Sequence, residues 1–123
     1  MAKNETLIYG ILISAIFLLS FYLRGVLPYD SVFSTAYVRF GGNDPWYNMR
    51  LVDSTLYNFP DRIFYDAFTA YPIGKIVPFA PFFDYLLACI IWIIGMGDPY
   101  VTLGQHGIDA IGAWYPAILG ALI

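Results

Sequence analysis

The first apolar run of the chain constrains its fold most. It extends from Leu7 to Leu23 without a charged residue and ends at Arg24. A transmembrane helix needs about 20 mostly apolar residues, and its ends commonly carry aromatic and basic anchors, as Tyr22 and Arg24 do here. The run is longer than the apolar core of a usual signal peptide, and the segment 21–24 offers no small-residue cleavage site. We therefore expect a retained transmembrane helix and not a cleaved leader.

Composition supports a membrane protein. The 123 residues are 59% hydrophobic and only 12% charged, whereas soluble domains carry about 25% charged residues. The formal net charge of -3 and the lack of a basic stripe argue against a nucleic-acid partner. Cys89 and His106 are each the only residue of their type, which excludes an internal disulfide and makes a cysteine–histidine metal site improbable.

A turn and a helix start follow at Gly41-Gly42-Asn43-Asp44-Pro45. Two glycines allow a sharp backbone turn, and Asp followed by Pro is a helix-start signal, so we expect Asp44 to cap the helix. From Pro45 to Asn58 the apolar residues fall at helical spacing, which predicts an amphipathic helix on the membrane surface. This stripe comprises Met49, Val52, Leu56 and Phe59.

The remainder suggests a long loop and two further helices. Residues 61–78 are rich in loop formers and aromatic side chains. The uncharged run from Tyr85 to Gly97 is too short to cross a bilayer, and Asp84 is placed to cap its helix. A third helix begins near Ile108 and is apolar to Ile123.

The predicted fold class is therefore an all-α polytopic membrane protein fragment. Its parts are a cytoplasmic lead and first transmembrane helix (1–24), a long loop with an amphipathic and a non-crossing helix (25–107), and the start of a second transmembrane helix (108–123). Because the last apolar run stops with the sequence, we expect the chain to be truncated.

Three motifs carry a family resemblance: Asp-Pro-Trp-Tyr-Asn-Met-Arg from Asp44 to Arg50, Asn-Phe-Pro from Asn58, and Tyr-Pro-Ile-Gly-Lys ending at Lys75. Together they resemble the first external loop of oligosaccharyltransferase catalytic subunits, in particular the archaeal (AglB-type) dolichyl-phosphooligosaccharide–protein glycotransferases. The resemblance covers nearly the whole chain but only the N-terminal part of such an enzyme. It implies inverting transfer of an oligosaccharide from a dolichyl phosphate or pyrophosphate carrier to asparagine in an Asn-x-Ser/Thr acceptor polypeptide.

The resemblance also implies a role for Asp44, which matches an aspartate that binds Mn²⁺ or Mg²⁺ and faces the acceptor asparagine. Carboxylate oxygens suit hard cations. The alternative is that Asp44 is only a helix cap. Some family members carry an acid at the position of Gly42, and in this chain Asp44 lacks that acidic neighbour. The remaining ligands, together with the Trp-Trp-Asp acceptor motif, are therefore expected beyond residue 123. The fragment alone should be inactive.

Two basic residues are candidates for contact with the lipid phosphates, Arg50 and Lys75. Arg50 lies three residues from Asp53 on one helix face, and the spacing favours a structural pair between them. Lys75 has the alternative of extending to the membrane interface.

Charge counting would place the loop in the cytoplasm, because Arg24, Arg39, Arg50, Arg62 and Lys75 follow the first span. That rule applies to loops of up to about 60 residues, and the loop 25–107 is longer. In the resembling family the loop is external, so we expect a multi-pass cell-membrane protein with a cytoplasmic N-terminus. Two alternatives remain: another polytopic lipid-phosphate-sugar glycosyltransferase, and a small non-catalytic membrane scaffold subunit.

Overall fold

The computed structural model describes residues 2–123, with the side chains of residues 4–123. These residues form two compact units. One contains the chain up to Arg39 together with Ala110–Ile123, and the other contains Phe40–Asp109.

The first unit begins with helix α1, Ala2–Phe21, which continues into a π-helical turn, Tyr22–Val26. A short helix α2, Tyr29–Val32, follows, and a single antiparallel bridge joins Phe33 to Val38. Most apolar side chains of α1 are exposed, whereas Phe17 and Phe21 are half-buried. Within the described residues, Asn4–Val32 is the one helical stretch long and apolar enough to cross a membrane, which agrees with the predicted first transmembrane helix.

Helix α6, Gly104–Leu122, starts earlier than predicted. The expected start near Ile108 is wrong because Gly104 adopts a left-handed φ of 66°, a conformation that glycine tolerates, and the helix continues from there. The polar link before it also contains a short helix α5, Pro99–Thr102, capped by the Asp98 side chain, which accepts from the Val101 N–H.

The second unit is built on two packed helices, α3 (Asn43–Tyr57) and α4 (Pro81–Ile94). The predicted helix is confirmed, and Met49, Val52 and Leu56 of its apolar stripe are buried. Phe59, the last member of the predicted stripe, lies after the end of the helix and is half-buried. The buried face is wider than predicted because Leu51 and Thr55 are also inaccessible. Helix α4 has 14 residues and is about 21 Å long, short of the roughly 30 Å of a bilayer core. The core side chains that α3 and α4 bury are Met49, Leu51, Val52, Leu56, Leu87, Ala88 and Ile91.

The second unit also contains a small antiparallel hairpin. Strand β1, Tyr65–Asp66, pairs with β2, Lys75–Ile76, and Asp66 lies opposite Lys75. The all-α prediction is therefore wrong for this segment. The hairpin was missed because each strand has two residues, too few to show an alternating pattern.

Candidate active site at the start of α3

The backbone enters α3 through Gly42, whose φ of 90° and ψ of -179° belong to a region that is essentially restricted to glycine. The helix starts at Asn43, so the predicted cap is wrong: Gly42 occupies the cap position, and no side chain caps this end. Asp44 instead lies in the first helical turn. A carboxylate there is stabilised by the positive end of the helix dipole.

The Asp44 side chain is exposed. Within the described part of the chain it forms no hydrogen bond or ion pair, so both carboxylate oxygens can accept a cation or an N–H donor. The described residues hold no group of three or more His, Cys, Asp or Glu side chains suited to a metal. At the start of α3, Asp44 is therefore a single carboxylate ligand for a hard cation.

Aromatic rings pack beside this first turn. Trp46 meets Phe40 edge-on, with ring centroids 5.0 Å apart, and Tyr47 packs against Phe79 at 5.6 Å. These contacts pack Trp46 and Tyr47 at the start of the helix. They bring residues before and after α3 against the turn that carries Asp44.

The helical spacing predicted a pair between Arg50 and Asp53, but the structure does not contain that pair. Its Nη2 lies 2.6 Å from Oδ1 of Asp66 in β1, and its guanidinium lies 5.4 Å from the centre of the Phe68 ring. Asp53 instead accepts a hydrogen bond from the Tyr100 hydroxyl at 2.9 Å. The prediction failed because partners distant in sequence replaced the local one.

Asp66 is the centre of a fully satisfied network. Only 2% of the residue is exposed. Its oxygens accept from the Thr69 hydroxyl at 2.6 Å, the Phe68 N–H at 2.9 Å and Arg50. Burial acts to raise the pKa of this carboxyl, but the hydrogen bonds and the guanidinium prevail and lower the pKa to about 2. Asp66 is therefore ionised at any physiological pH.

Lys75, the second candidate for phosphate contact, is exposed on β2. No ion pair to it occurs among the residues whose side chains are described. Of the two candidates, Lys75 has its charge available, whereas Arg50 already neutralises Asp66.

A second ion pair, Arg62 with Asp84, is buried on both sides and was not foreseen. Their Nη2 and Oδ2 atoms lie 4.0 Å apart, and the two side chains are 8% and 3% exposed. Asp84 was expected to cap α4, but that helix starts at Pro81 after Ala80, without a side-chain cap, because proline favours the first helical position. Burial raises the pKa of the Asp84 carboxyl, and Arg62 offsets only part of this rise.

The profile described as "Oligosaccharyl transferase STT3, N-terminal" matches residues 11–123, a range that contains α3, Asp44 and the hairpin. The chain belongs to the STT3 family. This membership confirms the resemblance and favours an oligosaccharyltransferase origin over an unrelated glycosyltransferase or a scaffold subunit.

Relatives and solved structures agree with STT3 membership. The chain is 45% identical over 107 residues to "Dolichyl-phosphooligosaccharide-protein glycotransferase 3" of Archaeoglobus fulgidus, a match that covers 85% of this chain and 11% of the relative. The archaeal oligosaccharyltransferase AglB of the same organism, solved with an inhibitory peptide and a dolichol-phosphate, is similar with a TM-score of 0.82 and 40% identity, over 96% of this chain and 13% of that one.

An Archaeoglobus fulgidus oligosaccharyltransferase tethered to an acceptor peptide containing the NVT sequon matches with a TM-score of 0.83 and 38% identity, over 99% of this chain and 14% of that one. The present chain therefore spans roughly a tenth to a seventh of the length of these STT3-family proteins.

Proposed function

We propose that this chain is the N-terminal part of a membrane oligosaccharyltransferase, which moves an oligosaccharide from a dolichyl phosphate or pyrophosphate carrier to asparagine in Asn-x-Ser/Thr sequons. The observation that carries the proposal is the free carboxylate of Asp44 on the first turn of α3, inside the segment that matches the STT3 profile. Similar structures were solved with a dolichol-phosphate and with a peptide that contains a sequon, which supports this donor and this acceptor.

Asp44 is the residue to which we assign the chemistry. An amide nitrogen is a poor nucleophile because its lone pair is delocalised into the carbonyl group. A carboxylate oxygen that holds an amide N–H rotated out of the amide plane weakens this delocalisation and orients the nitrogen toward the anomeric carbon. Attack from the face opposite the phosphate forms the C–N bond, breaks the C–O bond to the phosphate leaving group and inverts the configuration at that carbon, and the nitrogen gives up one proton to the carboxylate.

Asp44 is also the proposed ligand of Mn²⁺ or Mg²⁺. Its exposed carboxylate fits a hard cation, while the other ligands must come from outside the described residues, since these contain no further ligand cluster. A cation bound there would stabilise the negative charge that develops on the phosphate leaving group. Lys75 is exposed and forms no ion pair with the side chains of residues 4–123, so it is the better placed of the two basic candidates to contact that phosphate. Arg50 would have to share its guanidinium with Asp66.

The proposed topology follows from the same assignment. The helical stretch that begins at Asn4 is long and apolar enough to span a bilayer. In the proposed topology it crosses the membrane up to about residue 24, the N-terminus is cytoplasmic, residues 25–107 are external, and the protein is multi-pass. Asp44→Cys, made in a Cys89→Ser background of the full-length protein, should react with a membrane-impermeant maleimide applied to intact cells. Labelling only after lysis would place residue 44 in the cytosol and contradict the assignment.

Activity is tested with the full-length protein, an Asn-x-Thr peptide and a dolichyl-linked donor. We expect Asp44→Ala to reduce glycosylation by at least about 100-fold, because loss of a direct ligand should exceed the effects seen for outer-shell partners. Chelation of divalent metals should have a comparable effect. Asp61→Ala is the matched control, since Asp61 is also exposed. Unchanged turnover in Asp44→Ala and after chelation would remove both roles from Asp44.

A further inference from the structure

Arg24 is the only charged residue between Glu5 and Asp30, and it lies in the π-helical turn. In this turn the Leu27 N–H donates to the Tyr22 carbonyl, five residues earlier, at 2.9 Å. Such a turn contains one residue more than an α-helical turn and is common at functional sites. A basic side chain at the end of an apolar span commonly extends to the membrane interface, within reach of lipid headgroups.

The guanidinium of Arg24 lies over α6, within the same unit. A Cβ added at Gly120 would collide with Nη1 of Arg24. The guanidinium can therefore occupy this position because Gly120 has no side chain. Arg24 also lines a groove of about 350 Å³ together with Ala113, Pro116 and Ala117. The walls of the groove other than Arg24 carry no charge.

Among the side chains that the structure describes, Arg24 has no protein partner. From residue 4 to residue 123 no carboxylate pairs with it and no acceptor receives its hydrogen bonds.

An aromatic cluster fixes the two helices around this groove. Trp114 lies against Gly25, where an added Cβ would be 2.6 Å from Cζ3 of the indole. The rings of Phe21 and Phe33 each lie 5.8 Å from the Trp114 ring, and that of Tyr29 lies at 6.2 Å. Clusters of Trp and Tyr at the end of an apolar helix are typical of the headgroup layer.

A ligand for this groove needs an anionic head to meet the guanidinium and an apolar tail to lie along α1. We propose that Arg24 and the groove of Ala113, Pro116 and Ala117 bind the phosphate group of a membrane lipid. Arg forms paired hydrogen bonds with phosphate oxygens, and basic pockets between helices are known sites for lipid headgroups. An anionic phospholipid and a polyprenyl phosphate share this chemistry. The proposed site uses residues of the first unit only, and it does not depend on the proposed transfer reaction.

The test uses the full-length protein in phosphatidylcholine nanodiscs doped with phosphatidylglycerol in one series and with dolichyl phosphate in another. Native mass spectrometry measures the lipid retained by the wild-type protein and by Arg24→Gln. Since a hydrogen bond to a charged group is worth about 1.5–3 kcal/mol, the variant should retain at least one of the two lipids about tenfold less strongly. The series that responds identifies the source of the phosphate.

Three variants separate the groove from general surface charge. Gly120→Ala keeps the charge but displaces the guanidinium, and should lower retention as Arg24→Gln does. Arg24→Lys keeps the charge without the paired donors and should fall between wild type and Arg24→Gln. Arg39→Gln changes another exposed arginine of the same unit and should behave as wild type. Retention unchanged in both Arg24→Gln and Gly120→Ala, or equal loss in Arg39→Gln, would overturn the proposal.

Discussion

Arg50 of α3 and Asp66 of β1 are joined by an ion pair of 2.6 Å in which the carboxylate is buried while the guanidinium side chain stays 43% exposed. The pair connects the helix that carries Asp44 to the hairpin that carries Lys75. A buried carboxylate with one exposed charged partner depends on its other hydrogen bonds, here those from Thr69 and Phe68.

Asp66→Asn should detach the hairpin from α3. The pKa of Asp66 is lowered from an unfolded value near 3.8 to about 2, so the ionised carboxylate stabilises the folded state. Since the folded pKa is depressed, this contribution is complete above pH 4 and is lost as the pH falls toward 2. Hydrogen exchange of the backbone N–H groups in 65–76, corrected for intrinsic rates, should show acid-induced opening over this range in the wild type.

In Asp66→Asn the same amides should exchange faster at neutral pH, with little further acid dependence. Asp61→Asn, an exposed carboxylate in the same unit, serves as the control and should exchange as wild type. Retained acid dependence in Asp66→Asn would assign the effect to another carboxyl.

Arg62 and Asp84 should be strongly coupled in stability. Arg62→Met leaves a buried carboxylate uncompensated and should lower the free energy of unfolding by about 3–5 kcal/mol, whereas replacing both members with apolar residues removes the unpaired charge. The double variant Arg62→Met/Asp84→Leu should therefore be more stable than Arg62→Met alone. Thermal unfolding in detergent measures the stabilities of the single and double variants. If the two substitutions lowered the free energy of unfolding additively, the coupling would be contradicted.

The pH dependence of the Asp84 contribution has the opposite sign from that of Asp66. Because burial raises the folded pKa of Asp84, the folded protein holds this proton more tightly than the unfolded chain. The contribution of Asp84 to stability therefore decreases as the pH rises above the pKa that this carboxyl has in the unfolded chain. In the double variant this decrease should be absent.

Gly42→Ala should disturb the entry to α3 and with it the position of Asp44. A Cβ at a φ of 90° costs about 1–3 kcal/mol of backbone strain, although nothing lies within 4 Å of the added atom. Gly41→Ala, next to it and equally open in space without a left-handed φ, is the matched control. Glycosylation by the full-length protein should fall in the first variant and persist in the second; equal activities would show that Asp44 tolerates displacement.

Gly25→Ala should destabilise the aromatic cluster. The added methyl group would overlap the Trp114 ring, and overpacking of this kind costs about 1–3 kcal/mol. Gly10→Ala on α1 has nothing within 4 Å and should be neutral or slightly stabilising, because alanine is the better helix former. The difference between the two melting temperatures measures the packing effect, and a shift of the same sign in both would contradict it.

Periodic features were predictable from the sequence, and partners distant along the chain were not. The stripe of Met49, Val52 and Leu56 follows helical spacing, so α3 and its buried face were foreseen. The partner of Arg50 depends on a hairpin of two-residue strands that no periodic pattern reveals. One local signal was present: Asp66 followed by Phe68 and Thr69 forms a turn in which the carboxylate accepts from the backbone two residues later.

Helix starts were misplaced for a related reason. At α3 and α4 an aspartate was taken as the cap, yet Gly42 and Ala80 hold those positions. A backbone that reaches the helical conformation through glycine or before proline needs no side-chain cap. The free carboxylate of Asp44, which bears on the proposed site, could not be distinguished from a capping one without coordinates.

The π-helical turn also sets the rotation about the helix axis between the first span and the residues that follow it in the same unit. Deletion of a single residue from Tyr22–Val26 would restore ordinary α-helical hydrogen bonding, but it would rotate the following residues by about 100° about the axis. Gly25 would then no longer face the Trp114 indole. A change of length in this turn therefore changes which side of the helix faces Trp114. A related helix that lacks the extra residue would need a compensating insertion nearby to pack against the same ring.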